Sequence, residues 1–170
     1  MELTGEARRG QGLTDMGIHD IYAKAAEQGG SEAGYAGTVS VEDAWRLLAD
    51  DPNAVLVDVR TQAEWSYVGV PDLSSLGKET ALVQWKVFPG MVTNENFAGE
   101  LAELGVTSDK AALIICRTVN RSPQAATALA ALGYDRCYVV DSGFEGQPDE
   151  HKHRGTRDGW KTAGLPWTQG

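Results

Sequence analysis

The chain has 170 residues, 42% of them hydrophobic, and carries 15 Lys plus Arg against 24 Asp plus Glu for a formal net charge of −9. That length suits one globular domain with spare residues at its ends, and the apolar fraction can fill a core. The acidic balance argues against nucleic acid or an anionic membrane as partner, so any anion has to be drawn in by a local positive site.

Residues 1–15 are polar. From Asp15 to Gln28, Ile18, Ile21, Tyr22, Ala25 and Ala26 fall on one helical stripe, predicting an amphipathic helix that packs on the domain or on a partner subunit. GGSEAG at 29–34 ends it as a linker, dividing an N-terminal extension (1–34) from a domain over 35–170. Ser40 with Asp43 resembles a capping box for a helix at about 41–50. AVLVDV (54–59) reads as a buried parallel strand, and Thr61 with Glu64 caps a short helix carrying Trp65 and Tyr67. ALVQWKVF (81–88) is the predicted strand within an irregular stretch, and NENFAGELAELG (94–105) a helix stopped by Gly105. AALIIC (111–116) is a second buried strand. Pro123 and Gly133 bracket a helix at about 123–132, and CYVVD (137–141) is a further strand. Strands alternating with helices predict an α/β fold, a sheet covered by helices on both faces.

Two cysteines form no disulfide framework and fit a reducing compartment. With no apolar leader-like or membrane-length run, a soluble, cytoplasmic protein is expected.

Cys116 interrupts the pattern, standing at the seam between a buried strand and a helix start with Arg117 and Arg121 beside it. Ligands of such sheets bind at the carboxyl ends of strands, where helix N-termini point. The orphan N–H groups there, the helix dipole and the two arginines all favour a thiolate, the nucleophilic form. Cys137 opens an apolar strand with no such loop after it and reads as an inert core residue. Ser122 is expected to be the helix N-cap.

The heptad CRTVNRS (116–122) resembles the active-site loop C-x-x-G-x-R-S of rhodanese-like sulfurtransferases. VLVDVRTQAEW (55–65), GFEG (143–146) and GWKTAGLP (159–166) resemble further signatures of that family, in the same order, over about residues 35–167. The resemblance implies a rhodanese-like three-layer domain with a five-stranded parallel sheet. It implies transfer of a sulfane sulfur from a small anionic donor such as thiosulfate to a thiol, cyanide or protein acceptor. Cys116 matches the persulfide-forming residue, that persulfide being the covalent intermediate with no separate cofactor. Arg117, Thr118, Val119, Asn120, Arg121 and Ser122 match the loop that binds it, Arg121 being suited to an oxyanion. Asp58 and Arg60 match a supporting pair, although a simple surface ion pair is the alternative.

Cys116 to Arg121 is C-x4-R, whereas related phosphatases and arsenate reductases use C-x5-R, and Ile115 stands where many cysteine phosphatases have His. Phosphate chemistry is disfavoured on both counts. Val119 replaces the usual loop glycine and threatens strain if φ there is positive. GVPDLSS (69–75) also departs from the family's G-H-I-P-G-A. These departures leave a non-catalytic binding module as the alternative function. HKHR (151–154) lacks the further ligands a zinc site needs, so no metal is expected. The N-terminal helix leaves a homodimer open.

Overall fold

The computed structural model describes residues 17–28 and 34–169. Its elements in chain order are α1 (Ile18–Glu27), β1 (Gly37–Val39), α2 (Val41–Asp50), β2 (Ala54–Asp58), α3 (Gln62–Tyr67), β3 (Val70–Pro71), β4 (Ala81–Leu82), β5 (Lys86–Val87), β6 (Val92–Thr93), α4 (Phe97–Glu103), β7 (Ala111–Ile115), α5 (Arg121–Ala131), β8 (Cys137–Val140) and β9 (Trp167–Thr168). The central sheet has the order β1-β8-β7-β2-β4, and every pairing in it is parallel.

Alternation along the strands sorts their side chains into two cores. Leu56, Leu113, Ile115 and Val140 face a layer built from α1 and α2. Val57, Ala112, Ile114, Cys116 and Val139 face α4 and α5. A strand buried on both sides needs apolar residues at every position, which is why β7 is unbroken Ala, Leu and Ile. The predicted α/β layering, five-stranded parallel sheet and helix-covered faces are all present.

The N-terminal helix packs within its own chain. Ile21 and Ala25 are buried, and α1 approaches so closely that a Cβ on Gly37 would meet the Ala25 carbonyl at 2.2 Å. Tyr22 Oη donates to Asp51 Oδ2 at 2.6 Å, tying α1 to the end of α2. Asp15 and the linker 29–33 lie outside the described residues.

The predicted strand 81–88 divides into two pieces. Ala81 and Leu82 pair with β2, while Lys86 and Val87 form an antiparallel hairpin with Val92 and Thr93. Val83 and Trp85 still donate to the Asp58 and Val59 carbonyls, so the chain peels from the sheet only once β2 itself has ended. Near the C-terminus, β9 returns to pair with β3, and the Trp160 side chain is fully buried.

Candidate active site

Cys116 is the first residue past β7, a central strand, and five residues further on the chain begins α5. The geometry brings the sulfur to the N-terminal end of that helix. Its side chain is 1% exposed, and Sγ lies 3.3 Å from the Oγ of Ser122, itself fully buried. α5 starts at Arg121, two residues earlier than predicted, with Asn120 before it and no side-chain cap. Ser122 is therefore not the N-cap. One residue inside the helix, its hydroxyl is turned toward the cysteine instead of toward a helix N–H.

Residues 117–120 form the intervening bend. Among the described residues, their N–H groups take no part in the turn and loop hydrogen bonds, which leaves them free to face an anion. Val119 is not among the residues with positive φ, so the strain anticipated for a glycine substitute is absent and the loop follows a path open to a β-branched residue.

The loop is held from behind by residues 143–146. Phe144 N–H donates to the Cys116 carbonyl at 2.8 Å, and the N–H groups of Glu145 and Gly146 donate to Arg117 O at 3.1 and 3.2 Å. Gly143 has φ 72°, and a Cβ there would stand 2.5 Å from the Thr118 carbonyl oxygen, so only glycine allows this approach.

Asp58 and Arg60 form no surface pair; both side chains are 0% exposed. Arg60 Nε and Nη2 reach Asp58 Oδ1 and Oδ2 at 2.9 and 2.7 Å, and Nη2 also donates to the Gly69 carbonyl at 2.7 Å. The guanidinium lies 4.1 Å over the Phe144 ring, which with Gly69 covers the end of β2. Arg60 thus reaches Cys116 through Phe144, whose amide holds the cysteine carbonyl.

Arg121 points to Glu64 on α3, with Nη1 to Oε1 at 2.5 Å and Nη2 to Oε2 at 3.0 Å. Glu64 also completes the capping box with Thr61. Burial alone works against both charges, yet their mutual attraction prevails: the Glu64 carboxyl sits below its ordinary value and the Arg121 guanidinium above its own. Arg117 is exposed and, among the described residues, its guanidinium has no hydrogen-bond or ion-pair partner. Beside these arginines opens a cleft of about 540 Å³, walled by α3, the β5–β6 hairpin and the first turn of α5.

Sequence reasoning identified the nucleophile candidate and its loop but assigned Glu64 only to capping. The capping box masked it, because the same carboxylate serves both contacts. Cys137 is buried in β8, where loss of solvent, aided by Asp135, pushes its thiol up to about 12. His151 and His153 are exposed in a turn whose backbone N–H groups converge on the Asp149 carboxylate. Among the described residues no group of His, Cys, Asp and Glu is arranged to hold a metal ion, and no helix is long and apolar enough to cross a membrane.

Residues 36–170 match the family model described as STR4 middle domain. Uncharacterized protein RP600 of Rickettsia prowazekii is 37% identical over 125 residues, spanning 73% of this chain and 90% of that protein. Thiosulfate sulfurtransferase GlpE of Actinobacillus pleuropneumoniae is 27% identical over 128 residues, spanning 75% of this chain and 89% of that protein. The crystal structure of Rv0390 from M. tuberculosis has a TM-score of 0.70 and 46% identity, covering 80% of this chain and 99% of that one.

Proposed function

The chain belongs to the rhodanese-like domain family, and from that premise we propose that it is a sulfurtransferase that carries sulfur on Cys116. The observation that carries this reading is the setting of one sulfur. Sγ of Cys116 stands at the carboxyl end of β7, hydrogen-bonded to Ser122, before a bend whose amides are unpaired and a helix whose N-terminus points at it. Free backbone N–H groups and a helix N-terminus are donors suited to an anionic group bound there. The Ser122 hydroxyl accepts from the thiol and donates to the thiolate, so it serves both states.

In the proposed reaction the Cys116 thiolate attacks the outer sulfur of thiosulfate. The S–S bond of the donor breaks, its electron pair leaves with sulfite, and Cys116 keeps the sulfur as a persulfide anion. A cyanide ion or thiolate then attacks that outer sulfur. Thiocyanate or a new persulfide departs, and the Cys116 thiolate is restored. Atoms and charge balance without an added oxidant or reductant. In this reading the amides of 117–120, which among the described residues donate to no other backbone group, receive the persulfide's outer sulfur, while Asp58, Arg60 and Phe144 keep the cysteine backbone in place.

Intact mass after incubation with thiosulfate tests the proposal, wild type beside Cys116→Ser. A reducible gain of one sulfur on wild type alone is expected. No gain with a panel of sulfane-sulfur donors, on a thiol that alkylates readily, would leave a binding module in its place.

A further inference from the structure

Thiosulfate is a small, wholly polar ion, and the cleft beside the Cys116 loop is neither small nor wholly polar. Its volume of about 540 Å³ falls in the range that holds ligands of drug size, roughly 300–1,000 Å³. One wall is apolar, made by Ala63 and Val68 from α3 and its end together with Phe88 and Met91 from the hairpin turn. Phe88 is 59% exposed and Met91 42% exposed, so each has apolar surface left to bury.

The hairpin is fixed in this place. Trp85, at its base, donates from Nε1 to Gln124 Oε1 on α5 at 3.1 Å and packs edge-on against Phe97 at 5.3 Å. Asn94 N–H closes the base on the Trp85 carbonyl at 2.8 Å. The cleft lining also carries charge. Arg121 and Glu64 cancel one another, which leaves Arg117 and Lys86 as the net positive groups in a chain whose formal charge is −9. A ligand complementary to this cleft has an anionic head for Arg117 and Lys86 and an apolar body for Phe88 and Met91.

Resting on the sulfur-transfer reading above, we propose that Phe88 and Met91 are specificity-determining residues that select an organic sulfane-sulfur anion, a donor with an apolar body, over bare thiosulfate. A thiosulfonate, R–SO2–S−, has the required form. The Cys116 thiolate attacks its terminal sulfur, the S–S bond breaks, and the electron pair leaves with the sulfinate R–SO2−. Cys116 retains the sulfur as a persulfide anion, and the charge on each side is the same. The sulfonyl oxygens lie toward Arg117 while R lies against the hairpin turn.

Benzenethiosulfonate and methanethiosulfonate share charge and reacting group and differ only in the apolar body. The test compares their kcat/KM ratio, with cyanide as acceptor, in wild type and in the double variant Phe88→Ala, Met91→Ala. Both substitutions fall at exposed positions of a turn, and circular dichroism checks that the fold is kept. The ratio in wild type is expected to exceed that in the variant by about tenfold or more, the discrimination that a hydrophobic pocket gives for one or two methylenes. Equal ratios in the two proteins would overturn the inference and leave sulfur transfer standing. Absence of any persulfide from either donor would overturn sulfur transfer itself, and this inference with it.

Discussion

Arg121 and Glu64 meet end to end, each terminal guanidinium nitrogen on one carboxylate oxygen, at 2.5 and 3.0 Å. A loop arginine read as an oxyanion clamp is thus a tie between the first turn of α5 and α3, and the exposed cation beside the loop is Arg117. A carboxyl whose pKa is depressed by folding stabilises the fold above its unfolded value, near 4.5 for Glu64, and that contribution is lost as pH falls through the folded value. Glu64→Gln is expected to lower stability by about 1–2 kcal/mol at neutral pH, the scale of a charged hydrogen bond in a half-buried pair. Thermal unfolding between pH 7 and 3 checks the sign: the gap between wild type and variant narrows below pH 4.5. A gap that stays constant across that range would remove the ion pair from the account.

Gly143 lets its backbone touch the Cys116 loop. Gly143→Ala forces a Cβ within 2.6 Å of the Arg117 and Thr118 backbone, so the loop has to shift. A displacement of about 1 Å costs an active site roughly 100-fold, and a loss of that order in persulfide formation is expected. Gly133→Ala is the control. Gly133 also has positive φ, 97°, but a Cβ there meets nothing within 4 Å. Both variants carry backbone strain of about 1–3 kcal/mol, and only the first is expected to lose sulfur loading.

The Asp58–Arg60 pair is fully buried, so removing one partner leaves the other charge uncompensated at a cost of about 3–5 kcal/mol. Denaturation of Asp58→Asn, Arg60→Met and the double variant forms a cycle. The double variant is expected to cost clearly less than the sum of the two singles. Simple additivity would mean the two side chains act independently.

Cys137 is held as a neutral thiol at any pH well below 12. Native protein treated with iodoacetamide at pH 8 is expected to gain one adduct, mapped to Cys116. A second adduct, on Cys137, appears only after unfolding. Labelling of Cys137 in the native state would contradict its burial in β8.

Much of this architecture is legible in local pattern. The apolar runs at 54–59, ending beside Asp58, and at 111–116 suit strands buried on both faces, because a half-exposed strand alternates. Ser40 and Thr61 mark helix starts through bonds that span three residues. Cys116 is conspicuous for the same reason, a strand end and a helix start falling a few residues apart. Contacts between segments distant in sequence leave no such local trace. Glu64 is 57 residues from Arg121, and its capping role already accounts for it. Phe144 reaches the Cys116 carbonyl only because β8 runs beside β7 and delivers 143–146 behind the loop. The run 81–88 looks like one strand, yet the sheet ends under it and Lys86 and Val87 find their partners in 92–93 instead. Short-range chemistry named the candidate nucleophile; the packing of remote segments decided which charges stay free beside it and what lines the neighbouring cleft.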